Sequence, residues 1–471
     1  MSAGRAVLFV LRGYGQMFLA NHAGVGALFF LALLIATPIG GLLSLLGAII
    51  ITATGWWLGR SSDMLNTGLF SVNGVLIGAL WSQFPEVPLA WQATLTCLGA
   101  VWMACWMVPV TRWLKHRHSP YVLFSLPYVL AAWLCLFLLG SQNLTHPALL
   151  QGWMALAARQ PDQAAEAFQR AKVTSPQASA VRLDGLGWAS FHLRNYGESR
   201  LYFEKAVAQD HSLADAYDGL GWTLLKMSHY SEAGDAFAAA LKRDAWLADA
   251  WDGLGWAAKM QGQQRQSHHA FWRALIAASL FPDAWEQLLP KNPLVYSIKP
   301  WISARYERLS SRTLLCWFLF AIGLLWHSRI SFVMGASALV LCLTSARCLP
   351  IHLSAYADAS FVLNMTALWV AVGGHYLRLG VASILWLIVG TLALAVGYSY
   401  LALPLTSGGL PLLCLPFNVG LLATIAVLGR LPGRRVPLDW AVTNPETIRL
   451  WVVKKLNAEE CWRKLRTAVS K

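Results

Sequence analysis

Acidic residues are nearly missing from the two ends of this chain. Outside 141–312 and before residue 430 only Asp63, Glu86 and Asp358 occur, all in or beside expected loops. Proton- and ion-driven carriers usually keep carboxylates inside the membrane, so this scarcity argues against coupled transport and for passive permeation. Cysteine is absent from 141–312, and the 8 cysteines elsewhere form no CxxC pair. That argues against a structural zinc site and a disulfide framework. There is no activated nucleophile, catalytic carboxylate pair or phosphate-binding loop, so an enzyme is not expected, and neither is a cofactor or a metal. Charged residues of both signs make up only 13%.

What the chain has in quantity is apolar length: 56% hydrophobic residues and a mean hydropathy of +0.48. Runs near spanning length fall at about 23–39, 41–59, 67–84, 89–110 and 119–140, then at 313–327, 331–349, 357–374, 380–401 and 409–429. Residues 6–22 are apolar but interrupted by Arg12, Gly13, Gly15 and Gln16, which suits a re-entrant helix better than a span. No removable signal peptide is expected. Residues 141–312 carry 18 basic and 16 acidic residues, so the net charge of +14 belongs almost wholly to the apolar parts. On a membrane protein such a surplus marks cytoplasmic loops rather than nucleic-acid binding. Placing Arg60, Arg112, Lys115 and Arg117 inside gives cytoplasmic N- and C-termini in a cell inner membrane, with 141–312 outside. Asn444, Pro445 and Glu446 are expected to start a basic C-terminal helix.

Residues 146–285 have a different grammar. DGLGW recurs at 184–188, 218–222 and 252–256, a period of 34, and Phe203, Phe237 and Phe271 keep it, as do Ala206, Ala240 and Ala274. An earlier unit holds Gly152, Trp153, Ala164, Phe168 and Ala171. This resembles the tetratricopeptide repeat (TPR), in which stacked helix pairs share one continuous core. The proline usual near the repeat end is replaced by Ala245. TPR geometry implies that Asp184, Trp188, Asp218, Trp222, Asp252 and Trp256 line a concave groove for a peptide or cationic protein partner. Packing between neighbouring repeats is the other reading of the tryptophans.

Two broken apolar segments stand in corresponding places of the two ends. LPLLCLPFN at 410–418 has Pro411 and Pro416, and YVLFSLPY at 121–128 has Pro127. Proline stops a helix from running straight through, and in lipid the freed backbone groups need a protein or water partner. Such paired breaks point to a transport site.

These ends resemble the urea transporter family. Arg12, Gly13, Gln16, Phe18 and Asn21 match its RGxxQxxFxxN opening, and GLFSVNG at 68–74 followed by VLIG matches its asparagine segment. The 410–417 octapeptide matches LPxxTxPF with Cys414 in place of threonine; Ser125 and Tyr128 replace threonine and phenylalanine in the first copy. Asn364 matches the second asparagine, whereas Ala304 stands where the family keeps a polar side chain near 302–308. The resemblance implies an all-α fold. It further implies a polytopic α-helical membrane protein with two inverted five-helix repeats, re-entrant pore helices and an inserted α-solenoid, assembled as a homotrimer. The expected divisions are 1–140, first membrane repeat; 141–289, TPR-like region; 290–430, second membrane repeat; and 431–471, C-terminal helix.

Urea is small, planar and neutral, with an acceptor oxygen and N–H donors, so its path needs acceptors along a flat apolar slot. Gln16, Ser125 and Cys414 are candidate pore ligands, and Phe18 and Phe417 candidate walls. Asn21, Asn73, Pro127, Asn364, Pro411 and Pro416 are candidates for holding the pore backbone. Cys414 accepts more weakly than threonine. A channel for another small neutral solute such as a short amide, or a membrane-anchored TPR scaffold with a decayed pore, are the alternatives.

Overall fold

In the computed structural model the described residues are 3–59, 65, 67–84, 87–116, 125–141, 146–278, 282–288, 311–348, 355–376, 381–407 and 413–427. Ala304, Pro411 and the expected C-terminal helix lie outside them. All regular structure among the described residues is helical.

The first apolar end folds as α1 (Ala3–Gly15), a 3-10 turn (Gln16–Phe18), α2 (Ala23–Ala36), α3 (Pro38–Trp57), α4 (Ser71–Ala79), α5 (Leu89–His116) and α6 (Leu126–Ser141). Among the described residues α3 and α5 are long and apolar enough to cross a bilayer, while α1 with its turn meets α2 at a 75° bend. The stretch expected to be re-entrant is thus a helix that stops at Gly15 and bends sharply into α2, as a broken span or a re-entrant loop would. The run expected at 67–84 is shorter than a span, because a 3-10 turn (Leu80–Gln83) ends α4.

With little hydrophobic drive between helices in lipid, close backbone approach and polar bonds must hold them. Gly47 of α3 and Gly74 of α4 face one another, and a Cβ added to either would overlap the other's carbonyl oxygen. The Thr52 and Ser71 hydroxyls share a hydrogen bond of 2.7 Å beside this contact.

The second end contains α16 (Ser311–His327), α17 (Arg329–Cys348), α18 (Ala355–Val370) with a π turn (Ala371–Tyr376), α19 (Val381–Ser407) and α20 (Leu415–Val427). Its neighbour pattern follows that of the first: α17–α18 repeats α3–α4, α18–α19 repeats α4–α5, and α18–α20 repeats α4–α6. Trp81 Nε1 donates to Thr96 Oγ1 at 2.8 Å, and Trp369 Nε1 to Thr391 Oγ1 at 2.9 Å, so the same kind of bond ties the matching elements. The two ends join where α2 packs on α16. There Phe29 and Phe320 lie 4.7 Å apart, and the Cys316 thiol donates to the Ala32 carbonyl at 2.8 Å.

Between them lie four helix pairs: α7 (Pro147–Ala157) with α8 (Pro161–Arg170), α9 (Pro176–His192) with α10 (Tyr196–Gln209), α11 (Ala214–Lys226) with α12 (Tyr230–Arg243), and α13 (Ala248–Met260) with α14 (Gln264–Ala277). A terminal helix, α15 (Pro282–Leu288), follows. This is a TPR-like region inserted between the two apolar ends. Its motif has a steric cause. Phe168, Phe203 and Phe237 are fully buried, each between a glycine of its own pair and one of the next: Gly152 and Gly185, Gly187 and Gly219, Gly221 and Gly253. Any side chain at these glycines would enter the ring. Within each pair the first helix ends on a left-handed residue, Arg159, Arg194, Ser228 or Gly262, a common helix stop. The region rests on the second apolar end, with α7 on α19 and α14 touching α16.

Candidate solute pathway

Each apolar end contains a short helix that begins at a proline break, and each is started by an asparagine from another helix. At a helix start the first N–H groups lack intrahelical partners, and in lipid they must find protein ones. Asn73, fully buried on α4, accepts the Tyr128 N–H of α6 on its Oδ1 at 3.1 Å. Asn364 on α18 does the same for α20, accepting the Phe417 N–H at 3.0 Å while its Nδ2 donates to the Leu413 carbonyl at 2.8 Å. Pro127 and Pro416 occupy the second positions of α6 and α20, where no donor is needed. Leu413, just before α20, adopts a left-handed conformation at φ 47. Such strain persists where the surroundings over-determine it, and it clusters at functional sites.

The two helix starts meet. Asn418 Nδ2 donates to Ser125 Oγ across the two ends at 3.0 Å and to the Cys414 carbonyl at 2.8 Å. The Cys414 thiol stands beside the Ser125 hydroxyl. Ser125 and Cys414, far apart in the chain, thus share one polar station with Asn418.

The α1–α2 bend carries Gln16. Its Nε2 donates to the Thr67 carbonyl at 2.6 Å, while its Oε1 accepts no hydrogen bond from a described residue. The bend is tight: Leu19 is left-handed at φ 59, and a Cβ on Gly15 would overlap the Ala20 carbonyl oxygen. Asn21 Oδ1 is sealed from solvent and has no hydrogen-bond partner among the described residues. Phe18 is buried edge-on against Phe29 and Phe320, with centroids at 5.8 and 5.5 Å. Phe417 lies in a second packed cluster, with Leu19 and Met365.

In the repeat region the six groove candidates divide by type. Trp188, Trp222 and Trp256 are half-buried and set edge-on against Phe203, Phe237 and Phe271 of their own helix pairs, at 5.5, 5.5 and 6.0 Å. Each packs on the phenylalanine of its own pair, and each also belongs to a cluster that includes residues of the next unit. Asp184, Asp218 and Asp252 are buried rather than open to a groove, and the glycine that follows each packs on the phenylalanine of the preceding pair. Burial pushes the Asp184 carboxyl well above the usual range, and the negative charge of Asp215 on the next pair adds to the rise, as does Asp218. Asp252 is raised by burial first, then by Asp283 and Asp249. Trp188 Nε1 donates to Asp215 at 3.2 Å, so the tryptophan series and this acidic pair are coupled.

Asn418 was not among the residues that the sequence motifs single out. A signal was available. Aligning SLPYV at 125–129 with CLPFN at 414–418 leaves Val129 opposite Asn418, an amide inside an apolar helix. Thr67 carries no such signal, since its backbone carbonyl is what holds Gln16.

Residues 7–177 match the family model described as urea transporter. The match spans the first apolar end and the first helix pair of the repeat region. Among solved structures, one described as "Crystal structure of MamA" is 20% identical, covers 35% of this chain and 87% of its own, and has a TM-score of 0.25. Another, "Crystal structure of MamA protein", is 18% identical over 36% of this chain and 86% of its own, with a TM-score of 0.25. The urea transporter domain makes this a membrane protein.

Proposed function

We propose that this protein is a passive channel for urea. The observation that carries the reading is the meeting of two asparagine-capped half-helices at one polar station formed by Ser125, Cys414 and Asn418. Broken backbone at membrane depth is tolerated where it lines protein or a wet path, and half-helices at the midplane of paired repeats are where transport sites form. Gln16 supports it further, since its amide nitrogen is tied to Thr67 and its oxygen takes no donor from a described residue. Permeation needs acceptors that bind weakly enough to release, and neutral amides and hydroxyls meet that need. No bond in the solute is made or broken.

In the same proposal the apolar ends are inverted repeats, and three subunits assemble with a path in each. The chain lies in a cell inner membrane with both termini cytoplasmic and the TPR-like region outside, available to a protein partner. The loop arginines and lysines support this orientation. Cys414 supports a second reading, a channel for short amides, because a thiol accepts more weakly than a hydroxyl. Stopped-flow light scattering on proteoliposomes tests both. Urea flux well above that of empty liposomes is expected; formamide or acetamide outrunning urea selects the second reading, and no solute flux overturns the channel.

A further inference from the structure

We propose that Asn418 is the specificity-determining residue of the midmembrane station: its side-chain oxygen receives a solute N–H. The inference rests on the channel reading above and names the group that reads the solute there. Other described oxygens at the station already take a donor from the protein. The Leu413 carbonyl accepts from Asn364, the Ser125 carbonyl from the Val129 N–H, and the Cys414 carbonyl from both the backbone and the side chain of Asn418. Ser125 Oγ accepts from Asn418 as well.

Asn418 is 3% exposed, and its side-chain bonds both leave from Nδ2. Its Oδ1 receives no hydrogen bond from a described residue, and it is not among the sealed buried polar atoms. A buried amide with a pinned nitrogen and a reachable, unpartnered oxygen can still accept a bond, and leaving it unmet is costly. Gln16 repeats the arrangement at the bend, with its nitrogen on Thr67 and its oxygen without a donor among the described residues. The two ends therefore differ where they otherwise match. Val129, fully buried, stands in the first where the second has Asn418. A lone amide at this place makes the station read N–H groups from one side.

Asn418 also ties the two ends together, and the test must separate reading from tying. The full-length protein in proteoliposomes is assayed with urea and with 1,3-dimethylurea, which has fewer N–H donors. Asn418→Leu keeps the volume and removes the acceptor. It is expected to lower urea flux about five- to tenfold, the weight of about one neutral hydrogen bond, and to lower the urea-to-dimethylurea ratio by a similar factor. Ser125→Ala removes the tie but keeps the oxygen, and should change that ratio less than about twofold. Asn418→Val, copying the first end, is the second variant if Asn418→Leu does not assemble. Asn418 variants that leave the ratio unchanged, or Ser125→Ala acting like Asn418→Leu, overturn the inference while the channel stands. No urea flux in the unmodified protein overturns the channel reading and this inference with it.

Discussion

Ser125 and Asn418 stand 293 positions apart and are joined by a 3.0 Å hydrogen bond, closing the two apolar ends on one another. That closure depends on how each half-helix is started. Asn364→Ala would remove a side-chain bond from both the Phe417 N–H and the Leu413 carbonyl in a buried setting. Each lost bond costs about 0.5–1.5 kcal/mol. The expected outcome is a loss of several degrees in the thermal transition of the detergent-solubilised protein, together with a fall of more than about tenfold in urea flux. An unchanged transition would show that α20 does not need this cap.

At the bend, Gln16 is held through its nitrogen. Gln16→Ala should reduce urea flux severalfold, and Gln16→Glu should reduce it further, because a carboxylate has no donor for the Thr67 carbonyl at 2.6 Å. Stopped-flow rates for the two variants check the order; equal rates would remove the Thr67 tie from the mechanism.

Much of this architecture was readable beforehand, for identifiable reasons. The 34-residue period gave the helix pairs of the insert because each pair reuses the same Phe and Gly positions. The prolines at 127 and 416 gave the half-helix starts because a missing N–H has a fixed consequence. The aspartates were less legible, since a sequence shows their spacing but not their burial beside glycines that close on the phenylalanine of the preceding pair. Asn418 was hidden for another reason. Its amide stands out against Val129 when the two broken segments are aligned, but the partner that gives it meaning, Ser125, lies on the other end of the chain.

In the insert, Gly219→Ala should be among the most damaging small changes, because the added Cβ would enter the fully buried Phe203 ring. Overpacking of this kind costs about 1–3 kcal/mol. Faster limited proteolysis between α10 and α12 is expected, while Gly197→Ala, where a Cβ meets nothing within 4 Å, should leave digestion unchanged.

The buried acids predict a pH dependence. Asp184 and Asp252 have folded-state values raised above 3.8, so the folded chain holds their protons longer than the unfolded chain does. Their stabilising contribution is complete below about pH 3.8 and is lost as pH rises through the raised values. Asp184→Asn removes the charge and its repulsion by Asp215 and Asp218. Hydrogen exchange of α9 and α11 in the full-length protein should therefore slow at pH 8 relative to the unmodified chain, with little difference at pH 4. Equal slowing at both values would assign the effect to something other than ionisation.

Phe271 breaks the sandwich pattern. Gly255 covers it on one side, but the position that continues the 34-residue period, where a second glycine would stand, is Gln287, whose side-chain oxygen accepts a bond from Lys259 at 2.7 Å. The last ring of the series is therefore seated without the second glycine that each earlier ring has, and the motif by which one pair receives the next runs out there.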